Sequence, residues 1–334
     1  MEPREPPTSP PRHSRLVVGL AIVAVGVAIL LDTLAVSVRW GIVLPAAVIL
    51  IGLILLLNPR SGSSVAWITV GVIMTIVLLV SSLVDQPFGW GTPDTIEQAD
   101  FDVTDRVERI VVTVDAGAVE ILPGTSDTIK VERQLKFDDE RPRVEHTVVN
   151  GVLEIVADCP GGFIFGSSCS VDHVLRVPAS IDVEIDTGAG SVHVTGLDAV
   201  VLANTGSGGI ELVNLSGRVT AETGSGGIVL ERLSATADLS TGSGSIRGTD
   251  VMSLRMVAET GSGSINLGFG TAPDDLDLVT GSGSITLTVP TGSYRLDLDT
   301  NSGSSSSSGI TEDAASPRTI RARTGSGSIR VNGE

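Results

Sequence analysis

The stretch Thr223-Gly224-Ser225-Gly226-Gly227-Ile228 decides the fold, because the same six-residue phrase recurs from residue 187 onward. It begins at Thr187, Thr205, Thr223, Thr241, Thr260, Thr280, Thr300 and Thr324, in steps of 18, 18, 18, 19, 20, 20 and 24 residues. A period near 20 is the signature of a solenoid. Four and two residues before each threonine the chain is apolar, as in Val183/Ile185, Val219/Ala221, Leu276/Leu278 and Ile320/Ala322. That alternation marks a strand with one buried face. Apolar positions resume five and seven residues after the threonine, as Val192/Val194, Ile210/Leu212, Ile265/Leu267 and Ile329/Val331, which reads as a second strand. Minus two to plus five is an odd step, so the corner between the strands must reset which side faces inward. Glycine permits such a backbone, and the structural turn positions are Gly188 and Gly190, Gly206 and Gly208, Gly224 and Gly226, Gly242 and Gly244, Gly261 and Gly263, Gly281 and Gly283, and Gly325 and Gly327. One coil is strand, corner, strand and return. It buries its inner face only when a neighbouring coil stacks on it.

The regular coils occupy 181–334, and a β-rich segment at 101–180 precedes them. In that segment Ile110 to Val114, Val119 to Ile121, Ile129 to Val131, His146 to Val149 and Val152 to Val156 read as strands, with turns at Pro123-Gly124 and Asn150-Gly151. Asp115-Ala116-Gly117-Ala118-Val119 is a weak echo of the later phrase, so the segment is expected to start the same solenoid and cap it. Outward positions of the coils carry Glu184, Asp186, Glu222, Asp238, Glu259, Asp277, Asp297 and Asp299, charges that resist sideways aggregation. The seventh coil loses its inward isoleucine in the run Ser304 to Ser308, and the eighth leaves no evident cap beyond Val331.

Two different materials are joined in these 334 residues, whose mean hydropathy is +0.33 and whose aromatic content is 3%. Residues 1–84 carry five arginines against Glu2, Glu5 and Asp32, a balance of +2; residues 85–334 carry 17 basic and 36 acidic side chains, a balance of −19. So acidic a surface disfavours nucleic acid. Residues 1–15 are rich in proline and read as a disordered cytoplasmic tail. Three apolar runs follow at 16–31, 40–57 and 65–84, each close to the ~20 residues that span a bilayer. Arg4, Arg12, Arg15 and Arg60 outvote Arg39, which places the N-terminus inside and everything after Asp85 outside. Residues 85–100 read as a linker. Cys159 and Cys169, ten residues apart, suit a disulfide in an oxidising compartment.

The sequence holds no convergent catalytic motif: no HExxH, no G-x-S-x-G, no GxxxxGK and no GxGxxG opening a helix. His146, His173 and His193 share no metal-ligand spacing and read as isolated exposed residues. Serine stands in the glycine-rich turn where calcium-binding β-roll repeats need aspartate. No catalysis, cofactor or metal is expected.

The Thr-Gly-Ser-Gly-x-Ile phrase, preceded by strands such as Val119-Glu120-Ile121 and Leu175-Arg176-Val177-Pro178, resembles the bacterial putative-adhesin family of β-strand repeat proteins over about residues 100 to 332. That resemblance implies a β-solenoid and supplies no catalytic residues. Gly26 through Asp32 and the run 40–57 also look like the small membrane module found beside cell-envelope stress regulators. Two functions follow. One is a membrane-anchored, adhesin-like surface scaffold whose partner is an envelope protein or a surface ligand. The other is an envelope sensor whose outer solenoid binds and whose membrane module signals.

Overall fold

The computed structural model describes residues 95–138, 140–160 and 169–334. The expected tail, the three expected spans and residues 85–94 of the expected linker lie outside them. Among the described residues no helix is long and apolar enough to cross a membrane. The unit Gly89–Glu334 is compact in its own right, and its described residues are all-β.

Its strands follow the period of the phrase. Each long strand ends in Thr-Gly-Ser, or Thr-Gly-Ala in the first, and each short one begins at the next apolar residue: β9 (Asp182–Ala189) and β10 (Val192–Thr195), β11 (Asp198–Ser207) and β12 (Ile210–Val213), β13 (Ser216–Ser225) and β14 (Ile228–Glu231), β15 (Thr236–Ser243) and β16 (Ile246–Val251), β17 (Arg255–Ser262) and β18 (Ile265–Phe269), β19 (Asp275–Ser282) and β20 (Ile285–Val289). The long strands stack in parallel into one sheet and the short ones into a second. Register is kept by the phrase itself, with Thr205 beside Thr223 and Ile210 beside Ile228. Inward side chains of both sheets are excluded from water; Val219, Ala221 and Ile228 are each 0% exposed. The parity reset expected at the corner is therefore present, since Thr223 and Ile228 both point into the core although five residues separate them.

Upstream, the stretch expected as linker already carries β1 (Thr95–Gln98), and β2 (Phe101–Val103) follows. Next come β3 (Arg109–Ala116), β4 (Val119–Pro123), β5 (Ile129–Phe137), β6 (Arg143–Val149), β7 (Val152–Asp158) and β8 (Cys169–Val177). The weak echo at 115–119 is a true coil, because β3 pairs in parallel with β9 and β4 with β10. Pairing turns antiparallel only beyond it, where β5 meets β8, β6 meets β7, and β1 and β2 lie along β5. These strands close that end of the stack.

At the other end the spatial order departs from chain order. β21 (Ser293–Ser302) and β22 (Ser305–Ser308), with the two-residue β23 (Thr311–Glu312), form the outermost coil. The coil that comes later in the chain, β24 (Thr319–Ser326) and β25 (Ile329–Gly333), lies between them and β19–β20. Sequential stacking was the expectation, and it fails here for a packing reason. The order observed buries Ile320, Ala322, Ile329 and Val331 to 0% exposure and leaves the serines outermost. The last coil, for which the sequence shows no evident cap beyond Val331, is covered by the strand Ser305–Ser308.

Candidate functional site

Close approach is common to every corner, and among the turn glycines expected from the sequence positive φ is added only at the later Gly263, Gly283 and Gly327. A Cβ added to Gly224 would sit 2.6 Å from the Gly206 carbonyl oxygen of the coil below, and one added to Gly226 would overlap the Gly208 carbonyl oxygen. Neither residue lies among the positive-φ positions, so positive φ, the reason offered by the sequence, does not apply at Gly226. The remaining corner glycines of the phrase repeat the same contact with the coil beneath.

The threonine that opens each phrase has a role the sequence reading missed. It stands at an even offset from the inward strand residues, so its side chain enters the core, where a hydroxyl needs a partner. Thr223 Oγ1 donates to the Gly208 carbonyl at 2.9 Å, Thr241 to Gly226 at 2.8 Å, Thr260 to Gly244 at 2.8 Å and Thr324 to Gly283 at 2.9 Å. A second ladder joins the later corners, where the Ser264 N–H donates to Ser245 Oγ and the Ser284 N–H to Ser264 Oγ, each at 3.3 Å. The sign in the sequence was a polar residue kept at an inward position in all eight copies.

Outward faces carry side chains in rows set by the register. On the sheet of long strands Arg321 and Arg323 of β24 stand between Asp275 and Asp277 of β19 and Asp297 and Asp299 of β21. Arg321 reaches Asp275 at 2.7 Å and Arg323 reaches Asp277 at 3.0 Å. On the other sheet His193 Nδ1 lies 3.1 Å from a Glu211 carboxylate oxygen. Among the described residues no cluster of three or more His, Cys, Asp and Glu is arranged to hold a metal.

The end built from β1, β5, β8 and β4 holds a groove of about 520 Å³, lined by Gln98, Glu120, Glu132, Gln134 and Asp172. Lys136 pairs with Asp172 at 2.6 Å, while Asp172 also accepts the Ala118 N–H at 2.9 Å. Arg133 lines the same groove, and its guanidinium lies 4.7 Å from the centroid of Phe101, whose ring stacks on His146 at 4.0 Å. A hydrogen bond from Arg141 holds the Glu97 carboxyl below the ordinary carboxylate range. His173 corrects the reading of exposed histidines. It is 1% exposed, its Nδ1 faces the Val171 carbonyl at 3.2 Å, and its Nε2 has no partner. Burial pushes it down to about 4, so it is neutral, with the proton on Nδ1. Cys159 and Cys169 are bonded to each other, their Cα atoms 5.8 Å apart, and so join the end of β7 to the start of β8.

No functionally curated protein matches the chain. Among solved structures it is similar to a putative adhesin from Bacteroides fragilis (14% identity, 71% of this chain and 97% of that one, TM-score 0.42). It is also similar to a putative cell adhesion protein from Clostridium sporogenes (12%, 72% and 100%, 0.26) and to a putative adhesin from Parabacteroides merdae (8%, 71% and 96%, 0.36). A family model spans residues 107–332, from the coil that carries the weak echo through the inserted one, and the chain thus belongs to the Toastrack DUF4097 family.

Proposed function

We propose that this protein is a membrane-anchored, adhesin-like scaffold that displays its β-solenoid outside the cell and binds a surface ligand or an envelope protein without catalysis. The observation that carries the reading is the pair of outward faces, on which rows of side chains stand at fixed spacing over a backbone locked by threonine and glycine at every corner. Such a face offers many equal, shallow contacts, which suits recognition of an extended surface better than enclosure of a small substrate. The anchor rests on the three apolar runs, and the outward orientation on the arginine distribution and the cysteine pair.

The test is protease added to intact cells, with thiol alkylation before and after reduction. Loss of the unit Gly89–Glu334 to external protease, with Cys159 and Cys169 reacting only after reduction, is the expected result. Protection of the unit until the cytoplasmic side is opened would overturn the orientation. Thiols that react without reduction would remove the oxidising compartment.

A further inference from the structure

The coil β24–β25 fills a slot instead of extending the stack. One wall is β19–β20 and the other is β21–β22. The link between those walls, 290–292, must climb two coil spacings of ~4.8 Å each, close to the reach of so few residues. It also closes over the inserted coil: the Glu334 N–H donates to the Val289 carbonyl at 3.0 Å, and the Thr291 N–H to the Glu334 carbonyl at 3.1 Å. Both walls present aspartates around the arginines of the insert: Asp277 and Asp297 flank Arg321, Asp299 stands beside Arg323, and Asp275, opposite Thr319, is within reach of Arg321. Walls closing on each other in the same phrase register would set Asp277 against Asp297, a destabilising pair. The slot is thus shaped and charged for a coil of this particular composition.

We propose that the slot is a coil-acceptor site that takes residues 319–333 from a second copy of this chain as well as from its own, so that neighbouring copies become joined by exchanged coils. What it recognises is a strand-corner-strand segment with inward Ile320, Ala322, Ile329 and Val331 and outward Arg321 and Arg323. Once β23 leaves β21, the connector 309–318 can reach roughly 33 Å when extended, enough to carry the coil into an adjacent stack while β21–β22 stay in place. Contacts inside the slot are the same whichever copy supplies the coil, so local concentration decides the partner. Leaving a filled slot breaks two interfaces at once. Exchange therefore belongs to chains that fold side by side, not to finished molecules mixed later. This inference stands on the slot alone and does not depend on the ligand-binding role proposed above.

Two differently tagged full-length copies are co-expressed, one carrying Ser282→Cys and the other Ser326→Cys, positions paired across β19 and β24 and both exposed. Cross-strand neighbours of this kind lie within disulfide reach. The expected result is a disulfide-linked species bearing both tags, lost when the acceptor cysteine is moved to Ser207, four coils away. A both-tag band no stronger than that control overturns the proposal if one chain carrying both cysteines closes internally. Should the cysteines disturb packing, co-purification of the two tags without crosslinking reads the same exchange. It must disappear when residues 319–334 are deleted from both copies, and co-purification that survives the deletion, or never occurs, overturns the idea.

Discussion

At the scale of single residues, the corner is where the chain has least freedom, and its two residue types fail for different reasons. Gly226→Val would drive a branched side chain into the Gly208 backbone, and the expected loss is about 3 kcal/mol or more, read as a lowered denaturant midpoint of the unit. Thr223→Val keeps the shape but strands the Gly208 carbonyl, for about 1–2 kcal/mol. Ser225→Ala should be nearly silent, since Ser225 is exposed. Arg232 holds φ at 52°, a left-handed conformation unfavourable for a long side chain. Its equivalents Gly196, Asn214 and Asp250 share that conformation with residues that tolerate it, so Arg232→Asn should stabilise by roughly 0.5–1 kcal/mol in the same assay. His173 sets a pH dependence. Its folded value of about 4 lies below the ordinary 6.5, so the unfolded chain binds the proton first and stability falls as pH drops from about 6.5 to about 4. The share due to this group is on the order of 3 kcal/mol. His173→Leu should remove it, leaving a shallower acid slope between those values; an unchanged slope would count against the buried neutral imidazole.

At the scale of elements, charge and polarity decide which coil lies where. Chain-order stacking would pair Asp275 with Arg295 favourably, yet it would oppose Asp277 to Asp297 and leave Ile329 and Val331 on the outermost short strand. Inserting β24–β25 surrounds Arg321 and Arg323 with carboxylates and places Ser305 and Ser307 over Ile329 and Val331. Single exposed ion pairs contribute little, but two arginines between four aspartates form a small network. Reversing both, Arg321→Asp with Arg323→Asp, should cost roughly 2–3 kcal/mol, counting lost pairs and new like-charge contacts. About half of that loss should vanish in 1 M salt, where screening acts within ~3 Å. An equal loss at low and high salt would point to packing rather than charge.

At the scale of the whole unit, both ends of the stack are closed, by different means. One end uses antiparallel strands and the Arg133, Phe101 and His146 stack. The other uses a coil whose short strand is all serine and fully exposed, tied down by the Ser307 hydroxyl on Glu312 at 2.7 Å and by buried Tyr294 donating to the Pro290 carbonyl at 2.8 Å. A serine strand satisfies the backbone of β25 while offering no apolar row to a neighbour. Deleting Ser304 to Ser308 should therefore uncover Ile329 and Val331, lower stability by about 2 kcal/mol and convert the unit into concentration-dependent oligomers in sedimentation. A deletion variant that sediments as the parent does, with the same midpoint, would show that the serine strand is no lid.

The phrase at 223–228 and its seven other copies determined the strands, the parallel stacking, the register and the inward residues, because each is a local consequence of period and parity repeated at every step. The carboxylates assigned outward from parity do stand on outward rows. Tertiary structure alone decided three things. It set the reason for glycine, which at every corner lies in the carbonyl of another coil and at Gly263, Gly283 and Gly327 also in the residue's own positive φ. Burial of His173 was decided by where β8 sits beside β5, strands distant in sequence. Only the folded stack could show that residues 319–333 lie inside the coil that precedes them, since coils of one period are interchangeable until burial and charge rank their order.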